Sequence, residues 1–150
     1  MNIVQPARVM IDRVPVVLSA VMLLFVGGCD DGRPTRVSIA GTVLVDGKPL
    51  TVGDVKFVPQ GARPSSGRID ASGRFRLTCY DGGDGAVLGM HRVQVSASEI
   101  KGDDVRWHAP IKYANFRTSG ITFEVKEPME SMVIELKSDG SPAEIRTNDT

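Results

Sequence analysis

The sequence predicts an all-β fold, a seven-stranded antiparallel β-sandwich preceded by a signal-peptide helix. Beyond residue 35, apolar side chains recur at every second position, which is the period of a half-buried β-strand rather than of a helix. The 16 glycines and 9 prolines exceed their average share of about 12%, and they cluster between the alternating stretches as turns do. Because each apolar face is too short to be stable alone, two sheets must cover each other.

Seven alternating stretches follow one another, and each is predicted to form one strand. They cover residues 37–45, 55–57, 69, 75–79, 87–95, 121–125 and 132–136. Turn-forming residues at 46–49 (Asp-Gly-Lys-Pro) and 70–73 (Asp-Ala-Ser-Gly) separate the early strands. Residues 98–119 have no strand period, and 110–116 fit one or two helical turns. The inward positions are predicted to form one inter-sheet core of Val43, Val55, Phe57, Phe75, Leu77, Val93, Val95, Phe123 and Ile134.

The N-terminal residues have the pattern of a secretory signal peptide. Arg8 and Arg13 accompany an apolar run at 14–26, which is shorter than the about 20 residues that a bilayer-spanning helix needs. The run ends in residues 26–29 (Val-Gly-Gly-Cys), which resemble the lipobox of bacterial lipoproteins. That resemblance implies that the Cys29 thiol carries a diacylglycerol and that the preceding signal is removed. A plain signal peptide is the alternative.

The chain therefore divides into four predicted parts. Residues 1–28 are the lipoprotein signal peptide, 29–35 a lipidated tether, 36–137 the β-sandwich domain and 138–150 a polar tail expected to be disordered. If Cys29 is bound to lipid, Cys79 has no disulfide partner, and its place on an apolar strand face predicts a small buried core residue.

Charge and targeting together predict the partners. The 18 basic and 18 acidic side chains cancel, so no broad positive field favours nucleic acid. We expect attachment to the membrane through lipid on Cys29, in the cell envelope after secretion across the cytoplasmic membrane. An envelope protein or a glycan is the expected further partner, and the oligomeric state is open.

Short motifs in a fixed order carry a resemblance to a known family. They are residues 41–43 (Gly-Thr-Val), 46–50 (Asp-Gly-Lys-Pro-Leu), 55–57 (Val-Lys-Phe) and 70–77 (Asp-Ala-Ser-Gly-Arg-Phe-Arg-Leu). Over residues 36–137 the chain resembles the carboxypeptidase regulatory-like domains of secreted lipoproteins from planctomycete-type bacteria. The resemblance implies a transthyretin-like (prealbumin-like) β-sandwich outside the cytoplasm, and it implies no activity. His91 departs from the family, which usually has an aromatic residue there.

No constellation in the sequence predicts a catalytic residue, a cofactor or a metal site. Intradiol dioxygenases share the transthyretin-like sandwich and bind iron through two tyrosines and two histidines. Tyr80, Tyr113, His91 and His108 match that inventory, but the two histidines lie between the tyrosines and lack the His-x-His spacing of those enzymes. His91 is instead predicted to be a core or boundary histidine. The glycine-rich loop at 81–85 lacks the oxygen ligands of a calcium loop and is predicted to be a turn.

The segment without strand period contains the candidate binding residues. Arg106, Trp107 and His108 lie side by side there, and Trp107 is the only tryptophan of the chain. An indole beside cationic groups can stack on a sugar or accept a partner's apolar side chain. Tyr113 and Phe116 are expected to plug the open end of the sandwich, whereas the sequence does not decide whether Trp107 is exposed.

The predicted function is that of a lipid-anchored extracytoplasmic β-sandwich module with a non-catalytic binding or envelope-structural role. The alternative is a small prealbumin-like extracytoplasmic enzyme or metal-binding protein that uses His91 and His108 with Tyr80 and Tyr113. The two hypotheses differ in whether titratable side chains converge in one cleft, as an enzyme requires.

Replacing Cys29 with alanine is expected to abolish incorporation of labelled palmitate into the full chain, because alanine has no thiol to which the lipid could attach. Metabolic labelling followed by gel electrophoresis measures this. Cys79→Ala is the matched control and should keep full incorporation. Undiminished labelling of the Cys29→Ala variant would contradict the lipoprotein hypothesis.

Overall fold

A computed structural model describes residues 32–147, and it is all-β as predicted. The chain divides after Arg33, and the strands found within residues 32–147 belong to the unit from Pro34 onwards. The strands are β1 (Arg36–Val37), β2 (Ile39–Val45), β3 (Lys48–Pro49), β4 (Asp54–Pro59), β5 (Ser65–Arg68), β6 (Arg74–Arg76), β7 (Ala86–Val87), β8 (Gly89–Ser96), β9 (Ser98–Lys101), β10 (Asp104–Trp107), β11 (Ile121–Val125), β12 (Met129–Leu136) and β13 (Glu144–Thr147). The one helix among the described residues is a 3-10 turn, Ile111–Ala114, inside the predicted helical stretch.

The N-terminal predictions are outside the part of the chain that the structure describes. These are the signal-peptide helix, the lipobox and Cys29. Within residues 32–147, none of the helical structure has the length and apolar character needed to cross a membrane.

Two main sheets organise the fold, an arrangement consistent with a β-sandwich. One sheet has the strand order β13-β12-β2-β3, with β6 also paired to β2. The other has the order β11-β8-β4-β5. All pairs within them are antiparallel except β2 with β12, which is parallel. The prediction of a wholly antiparallel fold is therefore wrong at this one pair. Two further two-stranded sheets join β1 to β7 and β9 to β10.

Glycines stand where one backbone approaches another closely. A side chain at Gly41 of β2 would overlap the carbonyl oxygen of Met132 in β12, next to the irregular register between Met129 and Met132. Gly67 of β5 likewise leaves room for the carbonyl of Arg76 in β6. Only a residue without Cβ permits such contacts.

One core lies between the main sheets. The predicted core residues belong to it, with Phe123 partly buried at its margin. Phe57 and Phe123 meet edge to face, with ring centroids 6.1 Å apart. Burial alternates along β4 and β8, as the apolar period predicts for strands with one covered face. Cys79 is buried at 4% exposure, which confirms its predicted position.

The predicted strand count is wrong, since thirteen strands within residues 32–147 replace the seven expected. Five of the additional elements are short pieces that carry too few buried residues to create a period, namely β1, β3, β7, β9 and β10. The third predicted strand lies at Ser65–Arg68, just before residue 69.

The polar C-terminal segment is also more ordered than predicted. Residues 138–150 were expected to be disordered, but Glu144–Thr147 form β13 and pair with β12. A single apolar residue of β13, Ile145, packs against the core. The other residues of β13 are polar, so the composition of this segment does not predict a strand.

Replacing Phe75 with alanine should lower the free energy of unfolding by about 3–5 kcal/mol, because the ring is 4% exposed and its removal leaves a cavity. Denaturant unfolding measures the loss. Leu88→Ala is the matched control, since Leu88 is 45% exposed and its truncation should cost less than about 0.5 kcal/mol. Equal effects of the two substitutions would contradict the assignment of Phe75 to the core.

Candidate functional site

The segment predicted to lack strands contains a β-hairpin that stands outside the two main sheets. β9 and β10 pair antiparallel, from Asp104 opposite Lys101 to Trp107 opposite Ser98. Gly102 in the connecting turn has a φ of 66°, the positive value that a type II′ turn needs at its first central position. All eight strand residues are exposed.

The two faces of this hairpin differ in chemistry. Because side chains alternate along a strand, Ile100, Val105 and Trp107 share one face with Ser98. Ile100 and Val105 lie directly opposite each other and are 80% and 55% exposed, and Trp107 is 41% exposed. We call these three side chains the apolar hairpin face. Contiguous exposed apolar surface of this kind is typical of interaction sites.

The opposite hairpin face is charged. It carries Glu99 and Lys101 on β9, and Asp104 and Arg106 on β10. Across the strands, Lys101 lies opposite Asp104 and Arg106 lies opposite Glu99. Opposite charges therefore face each other in both rows, which favours this register.

The base of the hairpin is held by residues next to the second sheet. The His108 N–H donates to the Ala97 carbonyl at 2.8 Å, and Ala97 is buried directly after β8. The Nε2 of His108 lies 2.7 Å from Oε2 of Glu99, which accepts when that nitrogen carries the proton. These contacts fix the direction in which the hairpin leaves the sheet.

The three candidate binding residues therefore lie in three different settings. Trp107 belongs to the apolar hairpin face, Arg106 points to the charged face, and His108 is bound to Glu99 at the base. They do not form one continuous stacking surface. Ile100 and Val105 join Trp107 instead, although the sequence did not predict them as site residues. The signal that could have found them was the alternation on either side of residues 102–103 (Gly-Asp), a common hairpin turn pair.

His91 is a core residue, as predicted. It is 1% exposed, its ring centroid is 5.7 Å from that of Phe57, and Nε2 donates to the Val87 carbonyl at 2.8 Å. Burial lowers the pKa of His91 below its ordinary value, and the backbone groups of Val87 and Phe57 oppose this effect. The ring is therefore neutral near pH 7 and supports packing.

Tyr113 covers the core, as expected for a side chain that closes the open end of the sandwich. It is fully buried, and its hydroxyl lies 3.2 Å from the Lys137 carbonyl and 3.3 Å from that of Ser141. The Lys137 N–H donates back to the same hydroxyl oxygen at 3.2 Å. Phe116 is less buried and lines a cleft of about 400 Å³ beside Met90.

The glycine-rich loop is a turn closed by its own carboxylate. Asp84 accepts the N–H of Cys79 at 2.6 Å and of Tyr80 at 3.1 Å, and it pairs with Nε of Arg36 at 2.9 Å. Burial raises the pKa of Asp84, but the backbone N–H groups of Cys79, Asp81 and Tyr80 lower it together with the charge of Arg36, and the net shift is downward. The guanidinium groups of Arg36 and Arg63 lie over the Tyr80 ring at 4.9 and 5.0 Å.

The structure gives the four possible metal ligands separate surroundings. His91 contacts Val87, His108 contacts Glu99, Tyr113 contacts Lys137 and Ser141, and Tyr80 stacks with Arg36 and Arg63. Within residues 32–147, no group of three His, Cys, Asp or Glu side chains is placed to hold a metal ion.

A groove of about 570 Å³ lies on the sheet that contains β2. Its charged groups are mostly paired with each other. Arg74 meets Asp70 at 3.3 Å, and Arg76 meets Glu130 at 2.6 Å. Exposed ion pairs of this kind leave little unbalanced charge for a ligand.

No family model, no curated protein and no solved structure matches this chain. The resemblance to the carboxypeptidase regulatory-like domains therefore stays a prediction from the motifs. The geometry of the hairpin is the basis on which a function can be argued.

His91 should make the protein less stable as the pH falls below about 6.5, the ordinary pKa of histidine. Its pKa is lower in the folded chain, so below that pH the unfolded chain binds more protons and is favoured. The free energy of unfolding, measured between pH 7 and pH 5, should decline in the unaltered chain and decline less in His91→Phe. Leu88→Ala is the control, since it removes an exposed side chain that does not titrate, and it should keep the slope. An unchanged slope in His91→Phe would contradict a buried neutral His91.

Proposed function

We propose that this chain is a lipid-anchored, extracytoplasmic and non-catalytic module that binds an envelope protein through the apolar hairpin face. The observation that carries the proposal is the exposure of Ile100, Val105 and Trp107 together on one side of β9 and β10. Side chains of this type stabilise a fold when they are buried, and here they contribute little to the core. A partner that covers these side chains would remove their apolar surface from water, which favours binding.

The chemistry of the face favours a protein over a glycan. Sugar recognition by an indole needs hydrogen-bonding groups close to the ring, since sugars are covered with hydroxyls. On its own face, Trp107 has a single hydrogen-bonding neighbour, Ser98, whereas Val105 and Ile100 are aliphatic. The charged side chains lie on the other face. Two aliphatic side chains next to an indole match the apolar centre of a protein interface.

The sequence supports the anchor and the location. The lipobox-like residues 26–29 and the preceding apolar run agree with secretion followed by lipidation of Cys29. A diacylglycerol provides two acyl chains, which suffice for stable membrane attachment. The all-β architecture agrees with a carboxypeptidase regulatory-like, transthyretin-like domain, which we propose as the family.

A small enzyme or metal-binding protein is the alternative function. It would use His91 and His108 with Tyr80 and Tyr113, and the separate hydrogen-bond partners of these side chains weigh against it. Catalysis needs groups that converge on one reacting atom. The proposal is therefore of binding without catalysis.

A photo-crosslinking amino acid at position 100 tests the proposed binding face in cells that make the full chain. We expect one discrete cross-linked product in the envelope fraction, because Ile100 is the most exposed side chain of the face, at 80%. The matched control is position 111, where Ile111 is also exposed, at 65%, but belongs to the 3-10 helix. The product should disappear when Val105→Asp is added. Equal products from positions 100 and 111, or none from either, would contradict the proposal.

A further inference from the structure

The outer edge of β10 is free to pair with another strand. Within the described residues, β9 and β10 form a sheet of only two strands, so β10 has a strand partner on one side. In a hairpin with a two-residue turn, Lys101 and Asp104 exchange hydrogen bonds, and such pairs alternate with non-bonded pairs. The N–H and C=O of Val105 therefore point away from β9. Free edges of this kind are templates for strand addition.

The charges along β10 are complementary to the same strand turned by 180°. In an antiparallel pair centred on Val105, each Asp104 lies opposite the Arg106 of the other copy. Within residues 32–147, neither side chain has an ion-pair or hydrogen-bond partner of its own. The pairing would give each of these side chains one partner of opposite charge, in two equivalent Asp104–Arg106 pairs on either side of the symmetry axis.

The charge pattern then continues across four strands. Across the four strands, one row of side chains on the charged face would consist of Glu99, Arg106, the second copy's Asp104 and its Lys101. The sign of the charge alternates along this row. The β9 edge has a similar pattern in Glu99 and Lys101, but Glu99 is already bound to His108 at 2.7 Å. Among the described residues, Asp104 and Arg106 on β10 have no such partner, and this favours β10 as the edge that associates.

We propose that two copies of this chain associate through antiparallel pairing of β10 with β10, centred on Val105. This inference goes beyond the proposed function, because it uses the strand edge and does not require the apolar face to bind a partner. The result is a four-stranded intermolecular sheet that displays two apolar hairpin faces side by side. Such a short edge makes a small interface, with a dissociation constant on the order of 100 µM, and attachment to one membrane raises the local concentration.

Charge reversal tests the proposed pairing on the full chain in density-matched detergent, by sedimentation equilibrium. Asp104→Arg places two arginines opposite the native Arg106 residues, and Arg106→Asp places two aspartates opposite the native Asp104 residues. Each variant alone should dimerise at least about tenfold more weakly than the unaltered chain. An equal mixture should recover much of the original affinity, because the two arginines of one variant then face the two aspartates of the other. A mixture no stronger than either variant, or an unaltered chain that is monomeric at about 1 mM, would overturn the proposal.

A cysteine at the symmetry centre tests the register without changing any charge. Val105→Cys should form an intermolecular disulfide on mild oxidation, because the two positions face each other across the axis. Ile100→Cys is the matched control on β9 and should form no intermolecular disulfide. A disulfide from Ile100→Cys instead would overturn the choice of β10. The photo-crosslinking products separate the two proposals, since a second copy doubles the mass and an envelope partner gives another mass.

Discussion

The close approach of β12 to β2 at Gly41 is the constraint on which the sheet around them depends. β2 is its central strand, with β12 on one side and β3 and β6 on the other. Val43 of β2 and Ile134 of β12 pair directly, and both are fully buried. Any side chain at position 41 would displace the Met132 backbone and move these residues out of register. The pairing also joins the first long strand of the unit to one near its end, so both must be in place for the core to close.

The hairpin depends on that core without contributing to it. An isolated two-stranded hairpin is marginally stable in water, because it buries little apolar surface to offset the entropy lost on ordering. Here the sheets supply the order, since β8 continues through the buried Ala97 into β9 and His108 closes the base. Ile100, Val105 and Trp107 can therefore remain outside the core. The residues that stabilise the fold are therefore different from the exposed residues of the hairpin. Such a division suits a binding module, because the exposed residues can vary while the fold persists.

The sequence predicted those parts of the fold in which one strand face is buried. Phe57, Phe75 and Val93 follow the period of two and lie in the core, since burial imposes that period. β9 and β10 are exposed on both faces, so burial imposes no longer apolar period on them, and the short alternation around residues 102–103 is their only signal in the sequence. The parallel pairing of β12 with β2 joins segments about ninety residues apart, and local patterns do not encode such a register. For the candidate site, the single Trp107 points to the segment that contains the exposed hairpin. The strand pairing in the hairpin determines which side chains lie beside Trp107. Arg106 and His108 are next to Trp107 only along the chain.

The exposure of Trp107 is the most direct test of the account, because the chain has a single tryptophan and its emission reports on the hairpin alone. Fluorescence of the folded protein, with and without acrylamide, measures how much of the indole reaches water. We predict emission close to that of tryptophan in water and quenching that approaches the quenching of the urea-unfolded chain. A blue-shifted emission that resists acrylamide in the folded protein would place Trp107 in the core, and it would contradict the exposed apolar face on which the proposed binding function rests.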